Sequence, residues 1–156
     1  MTKTRHSALC AFLLLLGLAG APDAARADGP FQFHSLTPCR IVDTRGPNGP
    51  KGGPALQSLV TRSFPIQGEC GVPDGAAAVS LNVTIVFPTN HGHLTIWPSG
   101  QSLPVASTLN FAPSDTAVAN GALVALSTAD LDLSAQPHVL GNGTVHLVLD
   151  VTGYFD

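Results

Sequence analysis

Between Val79 and Trp97 the chain runs VSLNVTIVFPTNHGHLTIW. Val79, Leu81, Val83 and Ile85 alternate with Ser80, Asn82 and Thr84, the period-2 pattern of a strand that buries one face. Turn residues from Phe87 to Gly92 interrupt the run, and Leu94 to Trp97 resumes the alternation. The pattern predicts a long antiparallel hairpin near the middle of an all-β domain.

Similar short runs flank it. Phe31 and Phe33 alternate in a lead-in that predicts an edge strand, and Pro38 to Arg45 forms a brief strand with charges of both signs. The stretch GPNGPKGGP, Gly46 to Pro54, holds almost no residue suited to regular structure. It is expected to be a flexible surface loop, with a binding loop as the alternative. Leu59 to Ile66 predicts a strand with Val60, Phe64 and Ile66 on one face, and Pro65 puts it at a sheet edge or a bulge. Ser107 to Phe111 alternates, and Val118 to Leu126 is a strand interrupted at Gly121, where a bulge or a close backbone approach is expected. Leu131 and Leu133 mark a short strand, and Gly141-Asn142-Gly143 predicts a turn. The last strand, Val145 to Tyr154, turns Val145, Leu147, Leu149 and Val151 inward. Aliphatics on both faces, Val148 included, predict a central rather than an edge position. About eight short strands, turns roughly every 8 to 12 residues and no helical period predict an antiparallel β-sandwich or jelly roll, with a β-barrel as the alternative.

Composition narrows the class. Charged residues make up 11% of the chain, the formal charge is −3 and the basic residues are scattered, which argues against nucleic acid as a partner. The 16 glycines and 13 prolines sit between apolar runs, so they signal turns rather than disorder.

The start of the chain reads as an address. Lys3 and Arg5 precede the apolar run Ala11 to Ala21, which is too short to cross a bilayer as a helix. Ala25-Arg26-Ala27 fits the small-x-small rule, so a signal peptide of residues 1–27 is expected, cleaved between Ala27 and Asp28. Ala19-Gly20-Ala21 also fits, but leaves Pro22 first. The expected product is exported, with a lead-in at 28–35, one β-sandwich domain at 36–156 and no membrane span. Cys10 departs with the signal, leaving Cys39 and Cys70, an even pair in an oxidising compartment, and hence an expected disulfide. Closing a loop of that length is worth roughly 3 to 4 kcal/mol by chain entropy.

Several motifs, taken in order, form a pattern: CRIVDTR from Cys39, Gly71-Val72-Pro73, AVSLNVT from Ala78, Gly92-His93-Leu94-Thr95, Ser107 to Phe111 and VLDVTGYF from Val148. Together they resemble a repeat module of secreted and cell-surface bacterial proteins, with R-[ILV]-[ILV]-D-T-R near its start and D-V-x-G-Y-[FY] at its end. The resemblance spans roughly Leu36 to Phe155. It implies a non-catalytic surface role and brings no assigned activity.

Candidate chemistry is sparse. Asp43 and Arg45 share a strand face and are expected to form a structural ion pair or turn-forming bonds, with a carboxylate-binding arginine as the alternative. Asp150 is expected to bond a nearby loop. His91 and His93 form a His-x-His pair that suits zinc or copper, yet two ligands do not make a site, and no metal or other cofactor is expected. Neither G-x-S-x-G nor a constrained Ser, His and Asp spacing is present, so catalysis is not expected. Trp97, the single tryptophan, is the candidate glycan contact. The expected function is that of an exported structural or interaction module of the cell surface or extracellular space. Its partners would be surface proteins or glycans, or further copies of itself; a glycan-binding module is the alternative.

Overall fold

The structure is a computed structural model that describes residues 30–128 and 131–156. The expected signal segment and its cleavage point between Ala27 and Asp28 lie outside the described residues.

Among the described residues nine strands follow one another: β1 (Phe33–Asp43), β2 (Leu56–Gln57), β3 (Arg62–Phe64), β4 (Ala78–Val86), β5 (Gly92–Pro98), β6 (Leu109–Phe111), β7 (Ala117–Ala125), β8 (Leu133–Val139) and β9 (Thr144–Phe155). They make two antiparallel sheets packed as a β-sandwich. One has the order β1-β9-β4-β7, with β2 also on β9; the other has the order β3-β8-β5-β6. Among the described residues both sheets keep open edges, and no barrel closes. Among the described residues no helix is long and apolar enough to cross a membrane.

The alternation seen in the sequence builds the core directly. Val79, Leu81, Val83 and Ile85 of β4, with Val145, Leu147, Leu149 and Val151 of β9, form one buried layer. Phe64, Leu94, Ile96, Leu109, Phe111, Leu133, Ala135 and Val139 form the other. Strand β9 is central, flanked by β1 and β4, as its two apolar faces predict.

The expected hairpin between β4 and β5 does not form. Strand β4 pairs with β9 and β7, and β5 pairs with β8 and β6, so the chain crosses from one sheet to the other between them. At the corner Phe87 takes a left-handed conformation (φ 51°) just before Pro88, and its N–H bonds the Thr116 carbonyl at 3.2 Å. Alternation reports only which residues face inward. It is the same whether two strands lie side by side or face one another across the core.

Three other expectations change. The Phe31/Phe33 lead-in and the Pro38–Arg45 strand are largely one strand, β1, with register shifts between Ser35 and Cys39 and between Arg40 and Val42. The strand expected over Leu59–Ile66 shortens to β3, at a sheet edge as Pro65 implied, and Val60 is exposed. Gly121 is no bulge: β4 and β7 stay in unbroken register through Asn82↔Gly121, with open space where a Cβ would stand.

Candidate functional site

The two end motifs meet on adjacent strands. Arg40 of β1 lies opposite Asp150 of β9 and donates to its carboxylate twice, from Nε at 2.8 Å and from a terminal nitrogen at 3.1 Å. Asp150 was expected to bond a loop; its partner is the neighbouring strand. Arg45 grips Asp43 in the same bidentate way (2.8 and 2.6 Å) and adds its backbone N–H at 3.1 Å. Arg40 also approaches Asp43 at 3.6 Å, so the four charges alternate in sign along one row. The Arg45 guanidinium holds the Asp43 carboxyl well below the usual range, at about 2. Bonding to Asp150 and Asp43 in turn raises the pKa of Arg40 and Arg45.

Between these charges Thr44 is buried. Its hydroxyl accepts the Leu147 N–H at 2.8 Å and its own N–H donates to the Leu147 carbonyl at 3.0 Å. His146 Nδ1 lies 3.0 Å from the Thr44 carbonyl oxygen. At the far end of the same strand pair Tyr154 stacks on His34 (4.8 Å between centroids, 12° between planes) and Phe155 meets Phe33 at 5.0 Å. A Cβ on Gly153 would sit 2.4 Å from the Phe33 ring and 2.7 Å from the His34 carbonyl, so β1 approaches as closely as it does because this residue is glycine. R-I-V-D-T-R and D-V-T-G-Y-F are thus two halves of one clasp, built along β1 and β9 by charge pairing, a buried threonine and ring stacking. Cys39 and Cys70 fasten the same strand to the turn before β4, with their sulfurs at disulfide distance and their Cα atoms 5.8 Å apart.

The remaining candidates are scattered. His91 lies in the corner before β5, where its N–H bonds the Asn90 side chain at 2.8 Å. His93 is in β5 opposite His138 of β8, and those two rings meet edge to face at 5.2 Å. The His-x-His pair is therefore not the pair of imidazoles that the fold brings together. Among the described residues no group of three or more His, Cys, Asp or Glu side chains is placed to hold a metal. Trp97 is only 6% exposed and its indole N–H donates to the Gln101 carbonyl at 3.0 Å. It offers no open stacking platform, which is what glycan contact by this residue would need. It does line a slot of about 510 Å³ between β7 and the 101–108 segment, together with Gln101, Ser102, Asn120 and Leu123.

Two residues carry more than their sequence context suggested. Arg62 packs over the Phe64 ring at 5.0 Å and donates to the Gly49 and Pro54 carbonyls, tying down the Gly46–Pro54 loop that was expected to be free. Burial lowers its pKa. The buried Asp132 carboxylate accepts the N–H groups of Ile66 (2.5 Å) and Gln67 (2.8 Å) and the Gln67 side-chain amide. A cation beside a glycine- and proline-rich loop hints at the first. An Asp between two leucines hints at nothing until the fold is known.

Neither a scan against protein-family models nor a search of curated proteins finds a match for this chain.

Proposed function

We propose that the chain is an exported, non-catalytic structural or interaction module that acts at the cell surface or in the extracellular space. The observation that carries this reading is strand β7. It is a nine-residue edge strand with no charge and no proline, and no strand among the described residues pairs with its outer side. A neutral, regular strand edge is a surface for partners. Two features support the rest. The charged residues of the motifs bond one another, Arg40 to Asp150 across β1 and β9 and Arg45 to Asp43 within one segment, a structural use of these side chains. The Cys39–Cys70 pair at disulfide distance suits an oxidising compartment.

The test is expression of the full chain in a secreting bacterial host, followed by mass spectrometry of the medium and the cell-surface fraction. The expected product begins at Asp28 and has no free thiol. A chain kept inside the cell with Met1 in place would overturn the reading.

The slot beside Trp97 favours a second reading, a glycan-binding module. Its polar lining by Gln101 and Ser102, with the carbonyl oxygen of the Asn120 side chain whose amide nitrogen already donates to Thr108, supplies hydrogen-bonding groups for a sugar. A glycan array decides it: binding lost on Ser102→Trp, which fills the slot, would replace the first reading, and a blank array retains it.

A further inference from the structure

The pairing of β7 with β4 determines which of its backbone groups are free. Leu126 N–H bonds the Ala77 carbonyl at 2.9 Å and Phe87 N–H bonds the Thr116 carbonyl at 3.2 Å, just beyond the two ends of the strand. Both bonds join even-numbered residues of the β7 segment to odd-numbered residues of the β4 segment. In an unbroken antiparallel ladder this parity persists, so Val118, Asn120, Ala122 and Val124 direct their N–H and C=O groups at β4. Ala117, Ala119, Gly121, Leu123 and Ala125 direct theirs away from the sheet.

The other edges are blunted. Strand β1 carries Arg40, Pro38 and two register shifts, β3 and β6 are three residues long, and β3 runs into Pro65. Charges, prolines, bulges and shortness are the devices that keep sheet edges from pairing. Strand β7 has none of them: across the slot the 101–108 segment meets it through the Asn120 side chain, which donates to the Thr108 carbonyl at 2.8 Å, and among the described residues no β7 backbone group bonds that segment.

We infer that β7 is a self-association edge, on which a second copy of this chain adds its own β7 antiparallel across a two-fold axis at Gly121; the inference rests on the interaction-module reading. The sequence AVANGALVA is what selects a second copy as the occupant. Pairing about Gly121 is the register that uses all nine residues, setting Ala117 opposite Ala125, Ala119 opposite Leu123, and Gly121 opposite itself. Every residue in those pairs belongs to the outward-directed set, so each free N–H meets a free carbonyl of the other copy. A shift of one residue would set outward groups against groups already bonded to β4. Side chains agree with the backbone. The same five residues project from the outer face, where Leu123 is 69% exposed, and the dyad lays each Leu123 over the small Ala119 of the other copy. Glycine on the axis leaves no side chain to collide with its own image. No charge lies anywhere in the strand, and Asp115 faces the neutral Ser127 across the dyad, so no like charges are opposed. The result is an isologous dimer in which two sheets become one.

Sedimentation of the purified, signal-free chain from low micromolar to millimolar concentration should show a monomer–dimer equilibrium. Ala119→Lys combined with Leu123→Lys puts lysines opposite lysines and should weaken dimerisation at least tenfold, with the melt and the Trp97 emission unchanged. Mixing that variant with Ala119→Glu combined with Leu123→Glu should restore a dimer of the two. Opposed residues of an antiparallel hydrogen-bonded pair lie about 5.5 Å apart between Cα atoms, within disulfide reach. Gly121→Cys should therefore cross-link to itself in oxidised glutathione much faster than Ala119→Cys, whose image lies far along the strand. A chain that stays monomeric throughout, or equal cross-linking at the two positions, would overturn the inference and leave the edge to a strand from a different chain. These measurements need no export, so their failure and a failure of the exported-module reading are told apart.

Discussion

Leu147→Ala should be among the most damaging single truncations in the chain. Leu147 is fully buried on the central strand, opposite Ile85 of β4. Its backbone is held from the other side by the Thr44 hydroxyl and N–H. Removing three carbon groups forfeits roughly 2.5 kcal/mol at about 0.8 kcal/mol for each buried group. The residual cavity adds about 1 kcal/mol or more, because a strand bonded on both sides cannot shift to fill it. The expected loss is therefore about 3 to 4 kcal/mol, a large part of a typical domain's stability. Urea unfolding followed by the fluorescence of Trp97, the single and buried tryptophan, measures it without a label. An unchanged slope with a lower midpoint would confirm that stability and not compactness has changed. The exposed Leu123→Ala is the control and should stay within about 0.5 kcal/mol of the parent. A loss under about 1 kcal/mol for Leu147→Ala would show that this face of β9 packs against something able to close up, and would refute the two-layer core as described.

Asp43, with its carboxyl held at about 2 against an unfolded value near 3.9, contributes stability that is fully present above about pH 4 and is lost as pH falls toward 2. The gap in urea midpoint between the parent and Asp43→Asn should therefore close across that window, and a gap independent of pH would contradict the Asp43–Arg45 bond. Gly92→Ala should cost about 1 to 3 kcal/mol or more, because its Cβ would fall 2.1 Å from the His138 carbonyl and 2.8 Å from the Phe111 ring; denaturation within error of the parent would mean that β5 and β8 do not approach so closely. Replacing Arg40 and Asp150 singly and together should give a coupling of about 0.2 to 1 kcal/mol, as for partly exposed pairs, and no coupling would mean that β1 and β9 are joined by packing and backbone alone.

Much of this fold is legible in the alternation of small sets of residues. Val79 to Ile85 and Val145 to Val151 announce their buried faces, and Pro65 announces an edge. Strand partners are not legible in the same way. The turn residues Phe87 to His91 are equally compatible with a hairpin and with a crossing between sheets, and what decides is that β7 and β9 already occupy both sides of β4. Gly121 shows the same limit. A glycine within a strand suggests a distortion, yet here the ladder runs straight through it. The charged motif residues could be recognised as a set, but the pairing of Arg40 with Asp150 depends on β1 lying beside β9, a contact between opposite ends of the chain. The slot beside Trp97 depends on the 101–108 segment, which shows no periodicity before Ser107. An unguarded edge is likewise a property of sheet order, since AVANGALVA would be unremarkable in a central strand.

Residue-resolved amide hydrogen exchange across β7 tests the open-edge claim most directly. In dilute solution Val118, Asn120, Ala122 and Val124 should be protected by β4, while Ala117, Ala119, Gly121, Leu123 and Ala125 exchange freely. Raising the protein concentration should slow the second set and leave the first unchanged. Equal protection of both sets at every concentration would show that the outer side of β7 is already covered, and would contradict the account.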